Sequence, residues 1–231
     1  MSIFMQTLLF MLAVMFGGVL VLIIKQKTNL KFLLSFSGGF LLTIIFTHIL
    51  PEAYKEIETT GFFILLGFFL QLVLEYFSKG AEHGHTHTNG SAIKVHFPLA
   101  VFISLSIHAF VEAIPINHAS HHAHGLYWGV FVHKIPVAVA LKIILDASGV
   151  SKRMSWTYLA LFGIMAPLGL FFGDWLVHNF EISFGWLLAT AIGMFFHVAT
   201  TIIFESSEGH KINLYKLLAI LAGFGIGIWI G

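Results

Sequence analysis

The chain contains no cysteine. Disulfide frameworks, thiolate zinc sites and cysteine nucleophiles are therefore excluded. Charge is the next shortage: twelve basic and eleven acidic side chains serve 231 residues, so only 10% of the chain is charged. A soluble domain carries about a quarter charged residues, and this chain could not cover a water-facing surface with so few. Its outer surface must face lipid. The sign of the charge is nearly balanced, +1 with histidine neutral. That excludes a nucleic-acid partner held through a basic field. Apolar residues make up 58% of the chain, including 25 phenylalanines that read as lipid-facing filler. Histidine is the unexpected abundance: fourteen of them outnumber lysine and arginine together, and they are clustered.

A helix that crosses the hydrocarbon needs about 20 mostly apolar residues. Eight runs qualify: Ile3–Ile24, Phe32–Tyr54, Gly61–Ser78, Phe97–Asn117, Tyr127–Leu145, Trp156–Val177, Phe184–Glu205 and Leu214–Ile230. A membrane β-barrel would instead alternate apolar and polar residues, and these runs do not. The predicted fold is an all-α membrane protein, a single domain over residues 1–231 built as a bundle of eight transmembrane helices. The first run lacks a basic leader and a small-residue cleavage site, so it reads as a retained helix. Gly38, Gly39, Gly223, Gly225 and Gly227 are expected to permit close helix packing.

Orientation follows from lysine and arginine. Lys25, Lys27, Lys31, Lys79, Lys94, Lys142, Lys152, Arg153, Lys211 and Lys216 fall in or beside the connections after helices 1, 3, 5 and 7. Lys55 alone lies on the opposite side, and Lys134 is inside the fifth run. The positive-inside rule then puts both termini outside the cytoplasm and the long 79–96 loop within it.

Ionisable residues inside the hydrocarbon are costly and point to function. The fourth run carries His108 and Glu112, four residues apart and so on one helical face. The fifth carries His133 and Lys134. His48 and Glu52 mark the end of the second run, His197 and Glu205 the last third of the seventh, and these four are weaker candidates along a pathway. A lone histidine in a membrane helix is most simply an interhelical hydrogen-bonding group. Two imidazoles and a carboxylate on adjacent helices form an N, N, O donor set suited to Zn²⁺ or a similar divalent ion. Pro115 and Pro136 each free a backbone carbonyl nearby, as polar cavities in membrane helices allow. Glu75 and Asp174 are expected merely to reach the interface.

Two histidine clusters lie between runs. His83, His85 and His87 occupy the cytoplasmic loop, where a short His-rich tract suggests weak metal capture. His118, His121, His122 and His124 join helices 4 and 5 on the outer side, with a role as metal collector or simply as a solvated loop.

With these residues in place, the sequence resembles the ZIP (Zrt/Irt-like) family of divalent metal transporters. Thr47-His-Ile-Leu-Pro-Glu52-Ala resembles the family's His-x-Leu-Pro-Glu-Ala. His108-Ala-Phe-Val-Glu112-Ala is similar to His-Asn-x-x-Asp-Gly, and His133-Lys-Ile-Pro136-Val to His-Glu-x-Pro-His. Gly193-Met-Phe-Phe-His-Val-Ala through Glu205 is similar to the helix 7 run. The resemblance implies eight helices with both ends outside and a metal centre between helices 4 and 5. Half of the family's two-metal ligand positions differ here: Ala109, Lys134 and Val137 replace coordinating residues. The implied transport-site residues are therefore His108, Glu112 and His133, around one metal. The Lys134 ammonium stands where a second cation would, as its charge substitute.

The leading expectation is a carrier moving Zn²⁺, with Fe²⁺ or Mn²⁺ as other cargoes, into the cytoplasm. Its partners would be divalent metal ions and the lipid bilayer, in a multi-pass cell-membrane protein (the inner membrane in a bacterium) that could pair as a homodimer. An intramembrane zinc-dependent hydrolase and a transport-impaired metal sensor are the alternatives. The first would use a metal-bound water, but helix 5 lacks His-Glu-x-x-His.

Overall fold

The computed structural model describes residues 2–24, 27–81, 98–117, 124–180, 182–205 and 213–230. Among these, the regular structure is entirely helical. Helix α1 spans Ile3–Leu20. Helix α2 runs Lys27–Ile44, passes through a π-helical turn at Ile45–Ile49 and continues as Leu50–Glu56. The others are α3 (Thr60–Ser78), α4 (Leu99–Val111), α5 (His124–Ala147), α6 (Lys152–Phe180), α7 (Phe184–Glu205) and α8 (Leu214–Ile230). Six of them are long and apolar enough to cross a membrane, and α4 and α8 are shorter apolar helices. Large side chains such as Phe4, Phe62, Phe69, Tyr76 and Trp229 are exposed on the outside of the bundle. That surface suits lipid and no other solvent.

Helices α2, α5 and α6 outrun their apolar runs for one reason: a run marks hydrocarbon, whereas a helix continues into the polar boundary. Helix α6 starts four residues before its run because Lys152 and Arg153 are good helix formers. Its start is capped by the Ser151 hydroxyl, which accepts the Met154 N–H at 3.3 Å. Helix α1 stops earlier than expected, at Leu20, and closes with short-range turns from Leu22 and Ile23 back to Val19 and Leu20.

Two prolines reshape the centre of the bundle. Pro51 has no N–H to offer the Thr47 carbonyl. Just before it the Leu50 N–H reaches back five residues to the Ile45 carbonyl, the spacing of a π-helical turn. Pro115 has the larger effect. The expected fourth helix, to Asn117, ends instead at Val111. Pro115 cannot donate to the Val111 carbonyl, and the Ile114 N–H takes that acceptor at 3.2 Å. Ala113 and Ile116 likewise bond only three residues back, so residues 112–117 form a tight turn. Irregular backbone at membrane depth is tolerated where protein covers it. Here α6 provides the cover: a Cβ at Gly169 or Gly173 would run into the Phe110 or Ile114 carbonyl.

Small residues set the other close contacts. Gly39 and Gly223 bring the α2 and α8 backbones together, with Gly227 against Thr43. Gly225 has open space beside it and makes no such approach, because it falls on the opposite side of α8. Gly67 and Gly193 do for α3 and α7 what Gly39 and Gly223 do for α2 and α8. Helix α5 lies between α1, α2 and α6, with Val130, Ala138, Val139 and Leu141 fully buried.

Candidate metal centre

Helices α4 and α5 place His108, Glu112 and His133 together. One donor atom of each lies within 4.8 Å of the others, and the three side chains are 1–2% exposed. The two imidazole rings are 5.9 Å apart between centroids and steeply inclined, at 78°. Glu112 sits just past the end of α4, where its N–H still bonds to the His108 carbonyl at 3.0 Å. The four-residue spacing survives the end of the helix, so His108 and Glu112 keep one face.

Glu112 divides its two oxygens. Oε1 accepts from the Lys134 ammonium, which is itself 1% exposed and lies over the Phe10 and Phe162 rings at 5.8 Å each. Oε2 faces His108 Nε2 at 3.2 Å. On its far side His108 Nδ1 lies 2.7 Å from Gln71 Oε1. A neutral imidazole has one N–H, so with the proton on Nδ1 the Nε2 atom presents a lone pair. In that tautomer neither Nε2 nor Glu112 Oε2 has a proton to share with the other. Two buried acceptors that face each other repel, and a cation between or beside them reconciles them. His133 enters from α5 with Ser37 Oγ of α2 at 3.3 Å from its Nδ1.

The weaker sequence candidates are spread along the bundle and do not join this cluster. His48 lies in the π-helical turn of α2, where its Cβ approaches Gly125 at the start of α5. Glu52 is half-buried one turn further on. His197 of α7 is buried and pairs with Glu75 of α3 at 3.3 Å, with the Phe68 ring against it. Glu75 was expected only to reach the interface; opposite His197 it has a specific partner. Asp174, expected likewise, meets Asn117 at 3.5 Å. His83, His85, His87, His118, His121 and His122 lie outside the described residues, as do the side chains of His124 and Glu205.

Gln71 and Ser37 escaped the sequence reading. Both are uncharged and sit inside apolar runs, so a search for ionisable groups passes over them. The available signal was a single glutamine amid apolar residues in the third run, a group that must find a hydrogen-bond partner when buried.

Fold and site together define a multi-pass helical membrane protein with a histidine–carboxylate–histidine cluster buried between two of its helices. Residues 83–231 match the sequence profile described as ZIP zinc transporter. The chain belongs to this family of metal transporters. A zinc transporter ZIP1 of Danio rerio is 25% identical over an alignment covering 87% of this chain and 84% of that protein. A zinc transporter ZIP1 of Takifugu rubripes is 24% identical with the same coverage. Family membership is that of a transporter and sets the hydrolase alternative aside.

Proposed function

We propose that the chain carries a divalent cation, zinc foremost, into the cytoplasm through a one-metal centre made by His108, Glu112 and His133. The observation that supports this most directly is the convergence of three buried donor atoms, one each from His108, Glu112 and His133, within 4.8 Å of one another. Two neutral imidazoles and one carboxylate are an ordinary zinc donor set. They offer less to Fe²⁺ or Mn²⁺, which compete as cargo through availability as much as affinity. Lys134 supports a count of one metal, because its ammonium already lies on the second oxygen of Glu112. The lysine asymmetry supports an orientation with both termini outside the cytoplasm; the inward direction and the cell membrane are read from the family resemblance.

Zinc uptake into liposomes containing the purified protein, wild type against His108→Ala, tests the proposal. Uptake by the wild type and its loss in the variant are expected. A wild type that binds zinc with no flux would replace the carrier by a sensor, the reading that Lys134 in a ligand position keeps in play.

A further inference from the structure

Helix α3 gives no ligand to the proposed centre, yet its Gln71 is fully buried. The inward face of α3 otherwise consists of Thr60, Gly67, Leu74 and Ser78. A carboxamide at this depth is costly unless it is hydrogen-bonded, and its oxygen lies 2.7 Å from His108 Nδ1. We infer that Gln71 is the positioning residue of the metal centre: by accepting the Nδ1–H of His108 it fixes the ring and the tautomer that turns an Nε2 lone pair toward the cargo.

This role rests on the centre proposed above, and it answers a conflict within that centre. Glu112 Oε2 lies 3.2 Å from His108 Nε2. Left to itself, the carboxylate favours the opposite tautomer, with a proton on Nε2 donated to Oε2. That tautomer cannot ligate a metal through Nε2. Gln71 approaches the other nitrogen more closely, and a carbonyl oxygen can only accept, so it draws the proton to Nδ1. A second polar group that orients a ligating histidine typically changes metal affinity by 10–100-fold. Ser37 at His133 is a different device. Its hydroxyl can donate or accept and stands 3.3 Å away, so it orients the ring without selecting a tautomer.

Nitrogen NMR of histidine-labelled, metal-free protein in nanodiscs tests this, with the His108 signals assigned by their loss in His108→Ala. The wild type should carry the proton on Nδ1. Gln71→Glu keeps the length and an accepting oxygen and should retain that tautomer. Gln71→Met keeps the length without the acceptor; it should shift the proton toward Nε2 and weaken zinc binding by roughly 10–100-fold. A wild-type proton on Nε2 would overturn the inference, because the amide would then present its NH₂ to Nδ1. Equal zinc-induced shifts and equal affinity in wild type and Gln71→Met would overturn the role of Gln71 alone. Zinc that leaves the wild-type His108 signals unmoved would remove the metal centre, and the positioning role with it. A wild-type proton on Nε2 overturns the inference even where a variant fails to fold.

Discussion

Lys134 of α5 and Glu112, just past the end of α4, form a buried ion pair in which the ammonium takes one carboxylate oxygen and leaves the other to His108. Each partner makes the other tolerable at membrane depth. An ammonium at a helix centre costs roughly 2.5–3.5 kcal/mol on insertion scales when unpaired, and the rings of Phe10 and Phe162 offset only part of that.

Breaking the pair from either side should therefore be costly, and removing both partners should not. Glu112→Gln is expected to destabilise the folded protein by about 3–5 kcal/mol, the range for a buried charge left without its partner. Glu112→Gln combined with Lys134→Met should recover much of the loss. Thermal unfolding in detergent across the double-mutant cycle reads the coupling; additive effects would mean that the two groups are energetically independent.

Lys134→Glu replaces the cation with a carboxylate beside Glu112. Zinc affinity should rise and the stoichiometry should increase from one to two, measured by calorimetric titration. A stoichiometry still at one with unchanged affinity would show that Lys134 does not occupy a second metal position.

The α6 glycines support the turn that carries Glu112. Gly173→Ala places a methyl group against the Ile114 carbonyl. It should cost about 1–3 kcal/mol, the usual penalty of overpacking, and it should lower zinc affinity by displacing the 112–117 turn. Gly225→Ala, with open space at its Cβ, should stay within about 0.5 kcal/mol of wild type. Unfolding midpoints of the two variants in parallel make the comparison.

Sidedness is testable in a chain that has no cysteine of its own. Glu58 and Lys152 are exposed residues at opposite ends of the bundle. In intact cells Glu58→Cys should react with an impermeant maleimide and Lys152→Cys should resist it. The reverse pattern would invert the bundle and the direction of import.

Much of this was legible in the chain before any coordinate. Among the described residues each of the eight apolar runs holds a helix, and six of these helices are long enough to cross the hydrocarbon. His108, Glu112 and His133 stood out because charge and imidazole are conspicuous where both are expensive. Gln71 and Ser37 did not, since a neutral polar side chain inside an apolar run leaves no periodic trace. The early end of α4 was half visible. Pro115 announced a freed carbonyl, but whether a helix kinks or stops there depends on what covers the backbone, and Gly169 and Gly173 lie more than fifty residues away in sequence. The partnership of Glu75 with His197 was hidden for the same reason: it joins two helices whose neighbourhood no local pattern records.

The Lys134–Glu112 pair also bears on membrane voltage. Before cargo arrives, the charges of the centre cancel, and a divalent ion adds two positive charges with no residual negative charge to mask them. In the proposed carrier, the loaded step therefore moves two elementary charges through the field, and the return step moves none. One charge crossing 100 mV is worth about 2.3 kcal/mol, so an inside-negative potential pulls the loaded centre inward with about twice that and does not hold back the empty one. With a carboxylate in place of Lys134 the empty centre would be negative, and an inside-negative potential would aid its outward return. In the proposed carrier, the lysine leaves the cargo as the net charge that the centre carries.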